Sequence, residues 1–261
     1  MKRSAMWLAG IAAAAIIAPL LAPYAPDALD LANRRAAPSL VHWFGTDDLG
    51  RDTFSRALFG GRISIAIGLL SALVAAGLGV TIGGVAGYVG GWTDTVLMRA
   101  TDAVLSVPRL LLLMVAAAVL QPTLPALVIL IGIVGWMETA RVTRVAVRSL
   151  LANEYVVAAR AAGAGHLRIL GRHLLVNASG AIRVAAVLAV GRSILVESAL
   201  SFFGVGVQPP SASWGSMLYQ AQSAMTTEPW LALFPGACIV ATVATLTSLS
   251  EAGDRAVSRA T

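Results

Sequence analysis

The chain has 261 residues, of which 57% are hydrophobic and 12% are charged, and its mean hydropathy is +0.79. Soluble domains are about 25% charged, so this composition excludes an ordinary soluble domain. Nineteen basic residues stand against thirteen acidic ones, but they fall between apolar runs without a basic and aromatic stripe, so we expect no nucleic-acid partner.

Long uncharged stretches predict an all-α integral membrane protein. Stretches 63–93, 110–137 and 231–250 contain no charge over 31, 28 and 20 residues, and about 20 apolar residues suffice to cross a bilayer as a helix. About six transmembrane helices are predicted along the chain. They lie at 6–23, 62–88, 101–120, 123–142, 179–200 and 230–250.

The first span and the division between the third and fourth spans are inferred from particular residues. The apolar stretch 5–22 after Lys2 and Arg3 is typical of a signal peptide or of a first span. We interpret it as an uncleaved span, because it is longer than the usual apolar region of a signal peptide. Pro122 and Pro125 divide the third span from the fourth, since proline removes a backbone donor and favours a tight connection.

The distribution of arginine predicts the orientation. Cytoplasmic loops carry an excess of Lys and Arg, and the loop between the fourth and fifth spans holds five arginines against Glu154 alone. These arginines are Arg144, Arg148, Arg160, Arg168 and Arg172. With Lys2 and Arg3 on the same side, both termini are expected in the cytoplasm. The charges of segment 24–61 balance, as in an ordinary outside surface, and the only cysteine, Cys238, cannot form a disulfide within the chain.

Four glycines recur at every fourth residue near the end of the second span. They are Gly79, Gly83, Gly87 and Gly91. A stripe of this kind lets another helix approach closely, which is a main route to helix association in membranes. The pattern leaves open whether that helix belongs to this chain or to another subunit.

Residues 154–175, EYVVAARAAGAGHLRILGRHLL, are unusually polar for this chain. Asn153 is a favourable N-cap, and the alanines that follow are strong helix formers with little bulk. Gly163 and Gly165 are expected to end this helix, and 166–175 to form a second helix at an angle to it. The sequence predicts a docking element for another protein. The alternative is an amphipathic helix at the membrane surface.

This chain cannot handle ATP by the usual route. A phosphate-binding loop of the form G-x-x-x-x-G-K-[ST] needs a lysine that reaches the phosphates, and the only lysine is Lys2. Any ATP-driven motor must therefore be another polypeptide.

Three segments resemble one family of membrane proteins. Residues 154–177, EYVVAARAAGAGHLRILGRHLLVN, resemble the EAA loop of binding-protein-dependent ABC importer permeases. Residues 44–68, FGTDDLGRDTFSRALFGGRISIAIG, and 197–218, ESALSFFGVGVQPPSASWGSML, resemble segments of the dipeptide, oligopeptide and nickel permeases. The loop departs from its motif at two positions, with Val157 in place of a glutamate and Val176 in place of a proline.

The resemblance implies a C-type permease subunit of an ABC importer with the MetI-like fold, in the bacterial inner membrane. Residues 1–61 would form an N-terminal transmembrane helix and an extracytoplasmic segment, and 62–261 a five-helix core with the EAA loop at 141–178. Implied partners are a homologous permease in a heterodimer, two P-loop ATPase subunits, an extracytoplasmic substrate-binding protein and membrane lipid. The ATPase subunits would use ATP and Mg²⁺, and no cofactor is expected in this chain.

The resemblance also implies a cargo and a set of coupling residues. The cargo would be di- or oligopeptides, with nickel or another small solute as the alternative. The residues implied to couple the chain to the ATPase subunits are Glu154, Tyr155, Ala158, Ala159 and Gly163.

Two further groups of residues are candidates for function. Arg192 and Glu197 lie in the fifth span, where charges face protein or water rather than lipid, so they are candidates for the translocation path. The alternative for Arg192 is a structural partner such as a carboxylate on a neighbouring helix. Segment 201–229 is expected to hold a short helix at 217–225 and to form a gate or a contact with the binding protein, or only a lid that packs on the bundle. Its candidate residues are Gln208, Trp214 and Met217.

Neither catalysis nor a permanent metal site is predicted. His42, His166 and His173 form no ligand set, and no nucleophile lies at a suitable spacing from a base. A secondary transporter would need carboxylates inside the membrane and paired repeats, whereas Asp102, Glu138 and Glu197 lie toward span ends and no repeat is found. We therefore expect a transport subunit that is not an enzyme, with a secondary transporter and a small intramembrane enzyme as rival classes.

Overall fold

The structure is a computed structural model that describes residues 6, 9–11, 13–15 and 17–258, with side-chain surroundings given as far as residue 253. Within these ranges the chain is mainly α-helical, and strand pairing is limited to an isolated bridge between Thr46 and Asp52. The helices are α1 (Ala18–Leu21), α2 (Thr53–Val89), α3 (Gly91–Leu105), α4 (Arg109–Leu120), α5 (Leu124–Ile133), α6 (Trp136–Leu150), α7 (Glu154–Ala161), α8 (His166–Arg168), α9 (Leu175–Asn177), α10 (Ser179–Phe202), α11 (Trp214–Ala221) and α12 (Trp230–Ser258).

Helix α2 is the centre of the bundle and contains the predicted second span. Asp52 caps its start, accepting a hydrogen bond from the Ser55 backbone N–H at 2.8 Å, and Gly90 ends it with a φ of 68°. Its 37 residues extend about 55 Å, well beyond the ~30 Å of a hydrocarbon core. The two ends of α2 therefore reach both surfaces of the bundle.

The predicted span 101–120 is wrong as a single straight helix. The chain instead forms α3 and α4, which meet at an angle of 75° across residues 106–108. Pro108 explains the break, because it lacks a backbone donor and disfavours the helical conformation of the preceding Val107. The predicted span 123–142 is likewise two helices, α5 and α6, bent by 42° at Val134 and Gly135. Helix α6 continues to Leu150, eight residues beyond the prediction.

Three helices, α2, α10 and α12, are each long and apolar enough to cross a membrane, and the described residues contain up to five spans if each bent pair counts as one. The first predicted span, 6–23, lies partly outside the described residues. Only 28–33% of the most apolar window of each long helix is buried within the chain. Many residues of these helices therefore keep some surface that can face lipid or another subunit, as expected of an all-α membrane protein.

The glycine stripe packs within the chain. A Cβ on Gly83 would lie 2.2 Å from the Ala140 carbonyl oxygen, and a Cβ on Gly87 would lie 2.7 Å from the Arg144 carbonyl oxygen. Gly79 meets the same helix, α6, at similarly short distances. Gly91 is different, since nothing lies within 4 Å of its Cβ position. Three of the four glycines thus allow α2 and α6 to pack backbone to backbone.

The segments outside the bundle gather at its two ends. The loop segment, residues 151–178, lies at the end of α2, where the Tyr88 hydroxyl is 2.7 Å from His166 Nδ1. The lid segment, residues 203–229, lies at the start of α2, where Trp214 Nε1 donates to the Ala57 carbonyl at 2.9 Å. A separate apolar cluster supports each end. The loop segment and the lid segment therefore lie at opposite ends of one long helix.

Candidate functional site

Helix α7 begins the loop segment and is attached by a single anchor. Val156 is 0% exposed and is the one buried residue of this eight-residue helix. Asn153 stands at the N-cap in an extended conformation, but its side chain makes no capping hydrogen bond. Glu154 lies in the first turn, where a negative charge favours the helix dipole. The predicted coupling residues Glu154, Tyr155 and Ala158 are exposed, and Ala159 is half-buried.

The turn after α7 depends on one glycine. Gly163 adopts a left-handed φ of 81°, and its N–H donates to the Arg160 carbonyl at 3.0 Å. The Ala164 N–H donates to the Ala159 carbonyl at 3.1 Å. This pair of bonds is the Schellman arrangement that ends many helices. Nothing lies within 4 Å of a Cβ placed on Gly163, so glycine is required there by the backbone conformation and not by space.

The second glycine of the predicted break has a different role. Gly165 has φ −66° and ψ 156°, a conformation open to any residue, and its Cβ position is also unobstructed. Residues 166–177 then run as α8, a π-helical turn at Ile169–Leu174 and α9, directly into α10. The predicted second helix is confirmed, and the π-helical turn is a feature that the sequence pattern did not indicate.

A small apolar core holds the loop segment on the bundle. Its fully buried members include Val147 of α6, Val156 of α7 and Leu174 of the π-helical turn. Because these contacts use few side chains, the outer face of the loop segment stays free. That face carries small residues, with Ala158, Ala161 and Ala162 exposed beside Gly163. This face of α7 therefore presents small, exposed side chains.

Arg192 of α10 pairs with a carboxylate on a neighbouring helix, which is the structural alternative that sequence analysis left open. Its guanidinium forms an ion pair with Glu138 of α6. The two side chains are 36% and 42% exposed, so the pair lies at a surface and not in the interior of the chain. Arg192 therefore has a structural partner on a neighbouring helix and is still accessible to water or to another subunit.

Glu197 lies near the end of α10, as the sequence indicates, and its side chain is buried. It is 0% exposed, and its carboxylate accepts hydrogen bonds from Ser64 of α2 at 3.0 Å and from Ser201 at 2.7 Å. The Ser64 hydroxyl oxygen in turn accepts from the Trp214 backbone N–H at 3.1 Å, and that of Ser201 accepts from the Val207 backbone N–H at 3.0 Å. Glu197 thus joins α2, α10 and the lid segment in one hydrogen-bond network.

Sequence reasoning missed the serines of this network. Ser64 and Ser201 are buried, as is Ser213, whose hydroxyl lies 3.5 Å from that of Ser201, and a buried hydroxyl requires a partner. Small polar residues in otherwise apolar helices indicate hydroxyls that need partners, but the sequence does not show that these partners include Glu197.

The lid segment contains the predicted short helix, shifted toward the N-terminus. Helix α11 begins at Trp214, with a capping box between Ser213 and Ser216, and a 3₁₀ turn follows at Gln222–Ala224. Trp214 and Met217 of this helix are buried. These two residues therefore fit the alternative in which the segment is a lid that packs on the bundle. Gln208 is exposed, and its side-chain amide donates to the Gly204 carbonyl at 2.9 Å.

Two of the three histidines, His42 and His166, lie at opposite ends of the bundle. His42 Nδ1 is 2.9 Å from Asp52 Oδ1 near the lid end, whereas His166 contacts Tyr88 at the loop end. Within the described ranges, no group of three or more His, Cys, Asp or Glu side chains could hold a metal ion.

The geometry defines a multi-pass helical membrane protein with an exposed helical loop at one end and a closed lid at the other. Residues 79–260 match the family described as "Binding-protein-dependent transport system inner membrane component". The chain therefore belongs to this family and is a permease component of a transport system.

Individual relatives agree with this assignment. A putative peptide permease protein of Brucella suis biovar 1 (strain 1330) is 38% identical over 235 residues, which cover 89% of this chain and 78% of the relative. The oligopeptide transport system permease protein OppC of Bacillus subtilis (strain 168) is 41% identical over 229 residues, or 88% of this chain and 75% of the relative. The dipeptide transport system permease protein DppC of the same organism is 39% identical over 220 residues, or 84% and 69%.

Proposed function

We propose that this chain is one permease subunit of an ABC importer for di- or oligopeptides, and that the loop segment is where ATPase subunits bind. The observation that carries the proposal is the way in which the exposed helix α7 is held in that loop segment. A helix of small exposed residues is fixed by Val156 on one side and by the turn at Gly163 on the other. The names of relatives from Brucella and Bacillus support a peptide cargo.

The proposal includes the partners and their cofactor. A homologous permease would complete the translocation path, and a substrate-binding protein would deliver cargo at the lid end. Two separate ATPase subunits would bind ATP and Mg²⁺, because this chain has no phosphate-binding loop and Lys2 is its only lysine.

The orientation follows from the arginines. The loop end would face the cytoplasm, since Arg144, Arg148, Arg160, Arg168 and Arg172 lie in or beside the loop segment. The two chain termini would lie on the same side. The lid segment and the charged segment 24–52 would then face the opposite compartment.

The connections of the loop segment suggest how coupling works. Helix α6 enters it and α10 leaves it, with only residues 151–153 between α6 and α7. A rigid-body movement of α7, driven by closure of the ATPase dimer, would therefore shift the ends of two membrane-spanning elements. Alternating access of the path between the two permeases would follow from that shift.

The test is reconstitution of the complete complex in proteoliposomes with its binding protein. We expect ATP-dependent uptake of a labelled dipeptide or oligopeptide, and no nucleotide turnover by this chain alone. Uptake of nickel without uptake of peptide would support the small-solute alternative for the cargo. ATP hydrolysis by the isolated chain, or uptake driven by an ion gradient without ATP, would contradict the proposal.

A further inference from the structure

Helix α3 contacts the bundle through a buried carboxylate as well as through apolar side chains. Of its 15 residues only Asp94 and Thr101 are buried, and both are polar. Asp94 is 5% exposed, whereas the apolar side chains of Leu97, Met98 and Leu105 are half-buried. A short helix beside a membrane-spanning bundle normally buries an apolar face, so a carboxylate at the most buried charged position of α3 calls for a specific role.

Two arginines of α6 form ion pairs with the Asp94 carboxylate. Arg144 donates from Nε and Nη2 to the two carboxylate oxygens, each at 2.5 Å, and Arg148 donates from Nη1 at 2.8 Å. A bidentate arginine–carboxylate pair of this kind is strong and fixes the relative orientation of the two side chains. The neighbouring pair between Asp102 of α3 and Arg141 of α6 is about half exposed, and exposed ion pairs contribute little.

Both ends of α3 allow it to change direction. Gly90 and Gly91 connect it to α2 with φ values of 68° and 54°, and nothing lies within 4 Å of either Cβ position. At its other end the chain bends by 75° before α4. Helix α3 is thus a rigid rod between two bends, and it is tied to α6 by the Asp94 carboxylate.

We propose that Asp94 is a positioning residue for transport, which makes α3 follow α6 when the loop segment moves. This inference rests on the proposed function. Arg144 and Arg148 lie in the last two turns of α6, just before α7. A shift of α7 would displace both guanidiniums, and the Asp94 carboxylate would carry that displacement through α3 to the bend before α4. The loop segment would therefore act on α3 and α4 as well as on α6 and α10.

The first experiment measures uptake and substrate-stimulated ATP hydrolysis of the reconstituted complex. Asp94→Asn keeps the shape of the side chain and removes its charge. We expect both rates to fall about tenfold, a usual size for coupling between two sites, with normal yield of the complex. Asp94→Glu should restore most of the loss. The matched control Asp102→Asn should change either rate by less than about twofold, because its ion pair is exposed.

The second experiment needs no change at Asp94. Spin labels on Val96→Cys of α3 and Val145→Cys of α6, both exposed positions, report the distance between the helices in a Cys238→Ser background. The distance should be the same in nucleotide-free and ATP-trapped complexes if α3 follows α6. A changed distance in a complex that transports normally would overturn the proposal, whatever the Asn variant does.

The outcomes separate this inference from the proposed function. If the parent complex shows neither uptake nor stimulated hydrolysis, the proposed function fails. If the parent is active and Asp94→Asn is equally active, only the role of Asp94 fails. A low yield of the Asn variant that Glu does not repair would indicate a purely structural role and would also overturn the proposal.

Discussion

The loop segment and the lid segment cover opposite ends of the same bundle, and they are attached to it in different ways. Helix α7 of the loop buries only Val156. Helix α11 of the lid buries five of its eight residues, Trp214, Gly215, Ser216, Met217 and Ala221. Most side chains of the lid are thus used within the chain, whereas those of the loop remain available to a partner. The difference teaches that the two ends are built differently: the lid helix packs into the chain, and the loop helix leaves most of its surface exposed.

The largest effect is expected at Glu197, which the lid depends on. Glu197→Ala would leave the hydroxyls of Ser64 and Ser201 without their acceptor, at about 1–3 kcal/mol for each unsatisfied buried group. We expect a clear fall in the Tm of the purified chain in detergent. The matched control Glu154→Ala, at an exposed position of the loop, should leave Tm nearly unchanged. Equal Tm values for the two variants would contradict the conclusion that the lid segment depends on buried contacts more than the loop segment does.

An intermediate effect is expected at Gly163, and it should concern coupling more than stability. Gly163→Val would strain the left-handed turn by about 1–2 kcal/mol, without any steric clash. We expect normal membrane insertion and pairing with the partner permease, but poor co-purification of the ATPase subunits or loss of substrate-stimulated hydrolysis.

Two matched controls separate backbone strain at Gly163 from side-chain bulk. Gly163→Asn should retain more coupling than Gly163→Val, because asparagine tolerates the left-handed conformation. Gly165→Ala should have no effect, since its φ is −66°. If Gly163→Val couples hydrolysis to uptake as well as the parent does, coupling does not depend on the left-handed turn at Gly163, and the alternative of an amphipathic helix at the membrane surface gains support.

The smallest effect on stability is expected at Arg192. Arg192→Leu breaks a partly exposed pair with Glu138, and such pairs contribute about 0–1 kcal/mol. We expect a normal yield of the complex together with reduced peptide uptake, as for a charge that faces the translocation path. Yield and uptake should be measured on the same preparation. Normal values of both would exclude a role in the path and a structural role alike.

The sequence predicted the straight spans well and the bent ones poorly. The spans near 62–88 and 230–250 coincide with long uncharged runs, for which hydropathy alone is sufficient, and the span near 179–200 is recognisable despite Arg183, Arg192 and Glu197. The bend before α4 is not predicted although Pro108 is visible in the sequence. Hydropathy identifies the apolar run after Pro108 but does not report a change in the direction of the helix. The continuation of α6 to Leu150 was missed because its arginines end the apolar run while its helical backbone continues.

The candidate sites show the same limit. The break between two loop helices was predicted from Gly163 and Gly165, but only the backbone shows that Gly163 alone is left-handed. The sequence places Glu197 correctly near a span end but does not predict its hydrogen-bond partners, since Ser64 lies 133 residues away. Local patterns identify turns and apolar faces. They do not show which distant side chains meet in the interior.

The central claim is that ATPase subunits bind the outer face of α7, and site-directed cross-linking tests it most directly. In a Cys238→Ser background, Ala158→Cys places a thiol on that face and Gln208→Cys places one at the exposed lid end. A short bifunctional thiol reagent is applied to the assembled complex, and the products are identified by mass spectrometry. We predict that Ala158→Cys cross-links to an ATPase subunit and that Gln208→Cys does not. An active complex in which Ala158→Cys is instead accessible only to lipid-soluble reagents, with no ATPase product, would contradict the claim.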